Sequence, residues 1–359
     1  MRAFVVAENS STVTELELPT PRPEGSEVLL RVNQCGVCHT DTHLRDGGYD
    51  LGSRGTMRLA DRGVTYPLVM GHEVVGVVEE VGPDVSDDTA VGIGDVRLIY
   101  PWVGCGQCHQ CEAGRDNYCA AGKNLGVARH GGYADRILVP DAKYLVDITG
   151  LDPSWAATMA CSGLTAYSAV NKVLPLPIDE PIVVIGAGGV GLTAVATLKA
   201  LGHKRICVVD VSPRNLDIAT ELGASDVVQP GDKTSKQIIE ACGGPVEAVI
   251  DFVNNDTTAR AAFDALRKGG QLVQVGLFGG EFVVPTALMA LKMLTISGSF
   301  VGTLDELHAV AALAKQGALP AIPIIEEPLD AASINAALDK LVSGGVAGRI
   351  VLQGPASVT

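Results

Sequence analysis

The segment IVVIGAGGVG, residues 182–191, decides how the second half of this sequence folds. Its β-branched residues predict a buried strand, and three glycines follow in the pattern GxGxxG at the start of a helix that continues through Leu201. Glycines at these spacings permit a tight turn and let the backbone approach a pyrophosphate, which then faces the free N–H groups of the helix N-terminus. The predicted dinucleotide contacts are Gly186, Gly188, Gly189, Val190 and Gly191.

The next strand carries the residue that predicts which dinucleotide binds. The run ICVVD ends in Asp210, 19 residues beyond Gly191. A carboxylate here accepts hydrogen bonds from the adenosine ribose hydroxyls and repels a 2′-phosphate, which favours NAD over NADP. Arg214 follows closely, and its cation is compatible with NAD but could also reach a 2′-phosphate. We therefore expect NAD, with Asp210 and Arg214 near the adenosine.

Outward from this segment, the pattern of the chain differs between its two halves. The strand-like runs IVVIG, ICVVD, VEAVID, QLVQVG and LTISG alternate with helical patterns over residues 214–222 and 257–268, which predicts a parallel sheet covered by helices. The first half instead contains short β-branched runs such as 27–32 and 74–81, separated by glycine and proline turns. The predicted fold class is α/β, with a doubly wound parallel sheet joined to a mostly β region.

Composition and charge restrict the classes of function. The 359 residues are 47% apolar and 19% charged, as in a folded globular chain with room for two domains. A net charge of −14 opposes nucleic-acid binding, and we find neither a secretory signal nor an apolar stretch of membrane-spanning length. We therefore expect a cytoplasmic protein with no nucleic-acid or membrane partner. In that reducing compartment, the 9 cysteines indicate metal binding or catalysis rather than disulfides.

Four of these cysteines form a first candidate metal site in the glycine-rich stretch GCGQCHQCEAGRDNYC. They are Cys105, Cys108, Cys111 and Cys119. Four thiolates can close a tetrahedral shell around zinc and leave no position for a substrate, so the site is predicted to be structural. An iron–sulfur cluster is the competing interpretation, although the spacing does not match the common ferredoxin patterns.

A second group of candidate ligands precedes that run. It consists of CGVCHTDTH, residues 35–43, and GHE, residues 71–73. Taken alone, CGVCH matches the attachment pattern of a c-type haem, and CxxC that of a redox-active dithiol. Haem attachment normally needs export, for which we find no signal, and neither pattern explains the neighbouring residues.

The sequence resembles the zinc-containing medium-chain alcohol dehydrogenases along nearly its whole length. The matching motifs, in the family's order, are CGVCHTDTH, GHE, the four-cysteine run, MACSGLTAYSAV at 159–170, GAGGVG and Arg349. The resemblance implies a GroES-like, mostly β catalytic domain made of residues 1–162 and 299–359. It also implies a Rossmann coenzyme domain over residues 163–298.

By this resemblance, Cys38, His72 and Cys161 would hold a catalytic zinc and leave its fourth position for water or the substrate oxygen. The metal would polarise the alcohol oxygen and promote hydride departure to the nicotinamide. Asp41 would accept a hydrogen bond from His72 and fix its tautomer, and Glu73 would approach the metal transiently. Ordinary surface charges are the alternative interpretation of the two carboxylates.

Thr40 and His43 resemble the family's proton relay, in which the hydroxyl passes the alcohol proton by way of the cofactor ribose to an exposed imidazole. An incidental surface histidine is the alternative for His43. Trp102 resembles an aromatic residue that lines the family's alcohol pocket, with core packing as its alternative. Thr40 also borders that pocket, where its methyl group would narrow the space relative to serine.

The same resemblance assigns further cofactor contacts. His39 and Arg349 would contact the pyrophosphate, although an isolated arginine such as Arg349 could equally form a surface salt bridge. Thr165 would pack against the nicotinamide. The main chain near Val275 and Leu277 would hydrogen-bond its carboxamide.

The chain departs from the family between Cys38 and His72, which are 34 positions apart, more than the usual interval. The extra length falls in residues 46–63, whose glycines and arginines predict an exposed loop. A plain loop or subunit contact is one interpretation, and a lid that shapes the substrate site is the other. Its arginines would also suit an anionic substrate.

The predicted reaction is reversible hydride transfer between NAD and a primary or secondary alcohol, giving an aldehyde or ketone. We expect two zinc ions per chain and a homodimer or homotetramer. A polyol dehydrogenase of the same superfamily is the nearest alternative, but its third catalytic ligand is typically Glu where this chain has Cys161. A zinc-free quinone reductase would lack these ligands. A non-catalytic, dinucleotide-binding redox sensor that keeps zinc only for folding is a further alternative.

Overall fold

The computed structural model describes residues 1–8, 10–86, 89 and 91–355. Its strands are β1 (Arg2–Val6), β2 (Val13–Glu17), β3 (Val28–Val37), β4 (Gly48–Asp50), β5 (Thr56–Arg58), β6 (Leu68–Val69), β7 (Glu73–Val81), β8 (Val96–Ile99), β9 (Arg136–Val139), β10 (Leu145–Asp147), β11 (Ile182–Ile185), β12 (Ile206–Val209), β13 (Asp226–Val228), β14 (Val246–Asp251), β15 (Leu266–Gln274), β16 (Thr295–Gly298), β17 (Ile324–Pro328) and β18 (Arg349–Gln353). Its helices are α1 (His39–Asp46), α2 (His109–Glu112), α3 (Pro153–Thr158), α4 (Leu164–Val173), α5 (Gly189–Ala200), α6 (Pro213–Glu221), α7 (Thr234–Ala241), α8 (Asp256–Ala265), α9 (Thr286–Lys292), α10 (Leu304–Lys315) and α11 (Ala331–Val342).

A six-stranded, wholly parallel sheet forms the second half of the chain. Its strand order is β13-β12-β11-β14-β15-β16, so the chain winds outward in both directions from β11. Ile182 and Val184 of β11 point into one apolar cluster, and Val183 and Ile185 point into the other. Helices cover both faces, which explains why the strand sequence is continuously apolar. The predicted doubly wound α/β sheet is confirmed.

Two details of this half differ from the sequence prediction. The helix predicted over 257–268 is wrong at its end, since α8 stops at Ala265 and β15 begins at Leu266. Gly269 has a left-handed φ of +81°, which interrupts a helix, and Leu266 pairs with Val246 of β14. Strand β13 had no prediction, because three residues are too few to show a periodic pattern.

Strands from the first half of the chain and two from its C-terminal part form a mixed sheet in the order β10-β8-β7-β3-β18-β17, and β9 also pairs with β3. A smaller sheet, β2-β1-β6, contains the N-terminal strand. Strand β18, near the C-terminus, pairs antiparallel with β3, with Ile350 opposite Val37. This register brings Arg349 back to the end of β3, where Cys38 follows.

The segment 46–63 contains a short antiparallel hairpin, β4 and β5, whose arginines are exposed. The hairpin approaches the parallel-sheet half of the chain. Ser53 Oγ donates a hydrogen bond to Glu281 Oε2 at 3.0 Å. A Cβ added to Gly279 would lie 2.8 Å from the Cβ of Asp50, so the backbones meet closely here. The segment therefore links the two halves beside the predicted site.

The division into 1–162 with 299–359 and 163–298 stays a prediction, and residues 356–359 of it lie outside the described residues. Within the described part of the chain, no helix combines the length and the apolar character needed to cross a membrane.

Candidate active site

Four potential metal ligands meet where the mixed sheet adjoins the parallel sheet. Cys38 caps the start of α1, and His72 directly precedes β7. Glu73 is the first residue of β7, and Cys161 lies in the π-helical turn Met159–Gly163. All four are buried, and their ligand atoms lie within 4.8 Å of one another. The structure thus brings together the three residues predicted to hold the catalytic zinc and the nearby carboxylate.

The donor set of this cluster fits a zinc ion. Nε2 of His72 is buried without a hydrogen-bond partner among the described residues, which is costly unless another group binds there. The Sγ atoms of Cys38 and Cys161 are 3.8 Å apart. Metal–sulfur bonds of about 2.3 Å in a tetrahedron give a sulfur–sulfur edge of about 3.8 Å. Two sulfurs and one nitrogen leave a fourth position open, as in catalytic zinc sites.

The two thiols of the cluster ionise differently. The hydrogen bond with Cys161 lowers the pKa of Cys38 well below its usual value. The same contact, together with burial, raises the pKa of Cys161. Cys38 therefore carries the first thiolate, which is the form of cysteine that binds metal.

Asp41 organises the cluster from a fully buried position. Its Oδ2 accepts hydrogen bonds from the N–H of Cys38 and the hydroxyl of Tyr133, both at 3.0 Å. Its Oδ1 accepts from the N–H of Gly71 at 3.3 Å and lies 3.4 Å from Nδ1 of His72. Burial, the largest single effect, acts to lower the pKa of His72, but the charges and hydrogen bonds of Asp41 and Cys38 together raise it well above its usual value. The carboxylate is thus placed to orient the imidazole.

Glu73 and Arg349 form a buried ion pair, in which Nη2 of Arg349 donates to Oε2 of Glu73. The N–H of Ser162 donates to the other carboxylate oxygen at 3.2 Å. Burial raises the pKa of Glu73 to about 7, although Arg349 acts in the opposite direction. Arg349 also lines a large cleft beside α1, so one guanidinium contacts the carboxylate of the cluster and borders that cleft.

Trp102 is fully buried beside the cluster. Its Nε1 donates a hydrogen bond to the carbonyl of Ala160 at 2.9 Å. The ring centroid lies 5.3 Å from that of His72 and 5.6 Å from that of Phe300. Trp102 is therefore a core residue that also contacts a predicted metal ligand, and its role in an alcohol pocket stays a prediction.

Helix α1 carries Thr40 and His43, which are three residues apart and so lie on one side of the helix. The ring centroid of His43 is 4.5 Å from that of Tyr49 in the hairpin. Burial lowers the pKa of His43. The Tyr49 contact shows that His43 is not an isolated surface side chain. The relay between Thr40 and His43 runs through the cofactor ribose and stays a prediction.

A cleft of about 600 Å³ lies between α1 and the glycine turn before α5. The predicted residues that line it are Cys38, His39, Gly186, Gly188, Gly189, Val190, Gly191, Asp210 and Arg349. Cys38 therefore belongs both to the metal cluster and to the cleft wall. Phe278 also lines the cleft, and its ring centroid is 5.3 Å from that of His39.

The glycine turn is closely packed. Gly186 has a left-handed φ of +91°. A Cβ on Gly191 would lie 1.7 Å from the carbonyl oxygen of Gly186, and one on Gly189 would lie 2.3 Å from Cδ of Arg349. A Cβ on Gly188 would meet no atom within 4 Å, which leaves open space at this point of the cleft. These contacts explain why the turn needs glycine and where a pyrophosphate can approach.

Asp210 is held at the end of β12 by backbone donors. Its carboxylate accepts from the N–H of Ala187 at 2.6 Å and from the N–H of Ser212 at 2.8 Å. The carboxylate is thereby fixed on the cleft wall, as a ribose-binding group would need to be. Arg214 is exposed on α6 and is not among the residues that line the cleft.

The residues assigned to the nicotinamide lie outside the lining of the cleft. Thr165 is buried on α4. Val275 and Leu277 follow β15 and line a smaller, neighbouring cavity. The N–H of Val275 donates to the carbonyl of Asp251 at 2.9 Å. The carbonyl of Val275 is therefore the backbone group that can accept a hydrogen bond from a carboxamide.

The four-cysteine segment forms a separate cluster around α2. All four Sγ atoms lie within 4.8 Å of one another. The sulfur of Cys108 is 3.5 Å from that of Cys111 and 3.8 Å from that of Cys119. The N–H of Gln107 lowers the pKa of Cys105 to about 7, and burial raises the pKa of Cys111 to about 12. This donor set and its spacing fit a closed, structural zinc site.

Three aromatic residues of the site were absent from the sequence prediction. Tyr133 contacts the buried Asp41 carboxylate, Phe278 packs on His39, and Tyr49 packs on His43. No local pattern marks them. Tyr133 and Phe278 reach the site only because distant segments come together, and Tyr49 reaches it only through the hairpin.

Known proteins resemble this chain along almost its full length. Residues 24–150 match the family described as "Alcohol dehydrogenase GroES-like domain", and residues 189–316 match "Zinc-binding dehydrogenase". An NAD-dependent alcohol dehydrogenase of Sulfolobus acidocaldarius is 36% identical over 98% of this chain and 99% of its own. One from Sulfurisphaera tokodaii is 34% identical with the same coverage. The solved structure of the alcohol dehydrogenase from Aeropyrum pernix matches with a TM-score of 0.88 at 31% identity, over 98% of this chain and 100% of that one.

Proposed function

Because this chain belongs to the zinc-containing medium-chain alcohol dehydrogenases, we propose that it oxidises a primary or secondary alcohol to the aldehyde or ketone with NAD⁺, and catalyses the reverse reaction. One observation carries the proposal. The buried cluster of Cys38, His72 and Cys161 opens onto the dinucleotide cleft through Cys38. A substrate oxygen at the cluster would therefore lie beside a dinucleotide bound in the cleft.

The catalytic zinc would be held by Cys38, His72 and Cys161. When bound, zinc supplies a Lewis acid for the substrate oxygen. The chain's own residues prepare the ligands: Asp41 orients the imidazole of His72, and the lowered pKa of Cys38 favours its thiolate form. Burial of the cluster excludes bulk water, and Glu73 has its charge balanced by Arg349.

In the proposed reaction the hydroxyl of Thr40 takes up the substrate proton, and His43 receives it nearer the surface by way of the cofactor ribose. The support is their common side of α1 and the half-buried position of His43 against Tyr49. The substrate pocket is bordered by Thr40 and Trp102.

NAD would lie along the cleft. The glycine turn, His39 and Arg349 hold the pyrophosphate, and Asp210 accepts hydrogen bonds from the ribose hydroxyls. The fixed carboxylate supports NAD over NADP, and the exposed position of Arg214 outside the cleft lining supports the same choice. At the other end, Thr165 packs on the nicotinamide, and the main chain near Val275 and Leu277 binds its carboxamide.

A second zinc is structural in this proposal, and its four ligands are those of the four-cysteine cluster. Two zinc ions per chain follow. The closed thiolate set supports this assignment, because it leaves no position for a substrate. The nearest alternative function, a polyol dehydrogenase, is disfavoured by sulfur from Cys161 at the position where those enzymes typically have Glu.

We also propose a homodimer or homotetramer. Strand β16 is at the edge of the parallel sheet, with no partner on its outer side among the described residues. Apolar side chains exposed in the segment that precedes it include Val283, Leu291 and Met293. An apolar, unpaired edge favours pairing with another chain, and a twofold axis would present the same strand from each copy. The cytoplasmic location expected from the sequence stays a prediction.

The proposal is tested by metal content together with alcohol-dependent NADH formation. We expect two zinc ions per chain, and absorbance at 340 nm should report turnover over a panel of alcohols. The Cys38→Ser variant should lose turnover while keeping the structural zinc and the wild-type circular dichroism spectrum. Turnover without metal, or full activity with a single zinc, would contradict the mechanism.

A further inference from the structure

A smaller cavity of about 380 Å³ lies beside the dinucleotide cleft, between the four-cysteine segment and the parallel sheet. Asn117 and Tyr118 from that segment form one wall, and Ser168 and Lys172 from α4 form another. The rest of the lining follows strands β14, β15 and β16. None of the proposed metal ligands lines it, and of the proposed cofactor contacts only Val275 and Leu277 do.

The polar groups of this cavity are arranged to receive a ligand. Ser299 is 7% exposed, and its Oγ has no hydrogen-bond partner in the described part of the chain. Oδ1 of Asn117 is also buried and unpaired there, while its Nδ2 donates to the carbonyl of Phe300 at 3.4 Å. Buried polar atoms without partners are unfavourable. An acceptor group of a ligand would remove that cost for the Ser299 hydroxyl, whereas Oδ1 of Asn117 can only accept a hydrogen bond and does not contribute to anion binding.

Lys172 determines the charge of the cavity. Its Nζ lies 3.4 Å from the hydroxyl oxygen of Tyr118, and no acidic side chain is among the described residues that line the cavity. The ammonium and the hydroxyls of Tyr118 and Ser299 are donors that this cavity offers to an anionic group, and charge-assisted hydrogen bonds of this kind are the strong ones. A single cation balances one carboxylate, whereas a phosphate dianion would retain uncompensated charge.

The cavity also extends toward the reaction centre. It shares Val275 and Leu277 with the proposed nicotinamide contacts. Phe300 lines it and packs edge-on against Trp102, which in turn lies against His72. These two ring contacts, of 5.6 and 5.3 Å between centroids, connect the cavity to the metal cluster. Phe300 therefore belongs both to the cavity wall and to the series of ring contacts that reaches the metal cluster.

We propose that this cavity binds the carboxylate of the substrate, so that the preferred substrates are hydroxycarboxylic acids whose hydroxyl is several carbons from the carboxylate. The inference rests on the proposed alcohol oxidation. The carbinol carbon gives hydride to NAD⁺ and the hydroxyl gives its proton to solvent, which yields the oxo acid, NADH and H⁺. The carboxylate is unchanged. Lys172 and Ser299 determine specificity and take no part in the chemistry.

The test compares 6-hydroxyhexanoate with hexan-1-ol as substrates of the zinc-loaded enzyme. In wild type we expect kcat/KM to favour the hydroxy acid by about tenfold or more, equivalent to about 1.4 kcal/mol. Lys172→Met should abolish that preference through KM and leave the constants for hexan-1-ol unchanged. Ser299→Ala should reduce the preference about threefold. Lys268→Met, an exposed lysine on β15 outside the cavity lining, is the matched control and should behave like wild type.

Equal kcat/KM for the acid and the alcohol in wild type would overturn the inference and leave the proposed alcohol oxidation intact. A Lys172→Met variant that melts like wild type but loses both substrates equally would also overturn it. If neither substrate is turned over by enzyme carrying two zinc ions, the proposed function itself fails.

Hexanoate distinguishes a substrate site from a site for a separate carboxylate effector. Competitive inhibition against 6-hydroxyhexanoate that disappears in Lys172→Met supports the substrate site. A non-competitive effect on the turnover of hexan-1-ol, lost in the same variant, would identify an effector site and overturn the assignment to substrate.

Discussion

Replacing Gly191 by alanine disturbs a contact on which both the fold and the cofactor site depend. The added Cβ would lie 1.7 Å from the carbonyl oxygen of Gly186 and 2.8 Å from its carbonyl carbon. Both distances are shorter than 3.0 Å, a separation below which real Cβ atoms essentially never approach another heavy atom. Both atoms are backbone, so no side-chain rotation relieves the overlap. Helix α5 must therefore move away from β11 in a densely packed region.

Overpacking of this kind costs about 1–3 kcal/mol, and a backbone overlap belongs at the upper end of that range. At an unfolding entropy of about 2.1 cal/mol/K per residue, a chain of 359 residues shifts by about 1.3 °C per kcal/mol, so the melting temperature should fall by about 4 °C. The N-terminus of α5 moves with the helix, so NAD binding should weaken about tenfold. Thermal unfolding followed by circular dichroism measures the first effect, and calorimetric titration with NAD⁺ measures the second.

Gly188→Ala is the matched control, because its Cβ would meet no atom within 4 Å. This variant should melt within about 1 °C of wild type. It should still bind NAD⁺ more weakly, because the methyl group occupies the approach of the pyrophosphate. A Gly191→Ala variant with the wild-type melting temperature would refute the reasoning, as would a Gly188→Ala variant that is equally destabilised.

Three further outcomes are expected from other parts of the chain. Asp210→Ser should lower the preference for NAD⁺ over NADP⁺ in kcat/KM about 100-fold, because it removes the ribose hydrogen bonds and the repulsion of a 2′-phosphate. An unchanged ratio would show that this carboxylate does not determine the choice of dinucleotide. Cys111→Ser should reduce the zinc content measured by atomic emission from two ions to one and lower the melting temperature, and retention of both ions would argue against a four-thiolate site. Lys315 lowers the pKa of Asp147, so the carboxylate stabilises the fold above about pH 4 and loses that effect as the pH falls further. Urea unfolding should therefore find Asp147→Asn less stable than wild type at pH 7, with the difference shrinking below about pH 4; a difference that grows in acid would contradict this assignment.

The features that could be predicted from sequence are those whose contacts are local. The glycine turn, the strand before it and the helix after it occupy consecutive residues, so spacing alone predicted their geometry. The four cysteines from 105 to 119 are equally local, and their spacing predicted the cluster that the structure contains. The catalytic cluster is different. Cys38, His72 and Cys161 come from three separate elements, and only the family pattern grouped them in advance.

Contacts that depend on strand register lay beyond sequence reasoning. Glu73 and Arg349 were assigned separate roles, yet β18 pairs with β3 and β3 with β7, which places the two side chains in one buried ion pair. The contact of Tyr133 with Asp41 depends in the same way on segments far apart in sequence. A shift of one residue in the register would move each side chain to the opposite face of its sheet, and no local sequence pattern determines which side chains then meet.

The hydrogen bond between Ser53 and Glu281 bears on how fast the cofactor can exchange. It joins the hairpin to the segment after Phe278, and Phe278 itself lies against His39 inside the cleft. Any motion that separates these two sides to admit or release the dinucleotide must first break that exposed bond. Opening and product release, rather than chemistry, set the turnover number of many enzymes. An exposed hydrogen-bonded pair that touches neither the metal ligands nor the glycine turn can thus lower the rate at which the dinucleotide is exchanged.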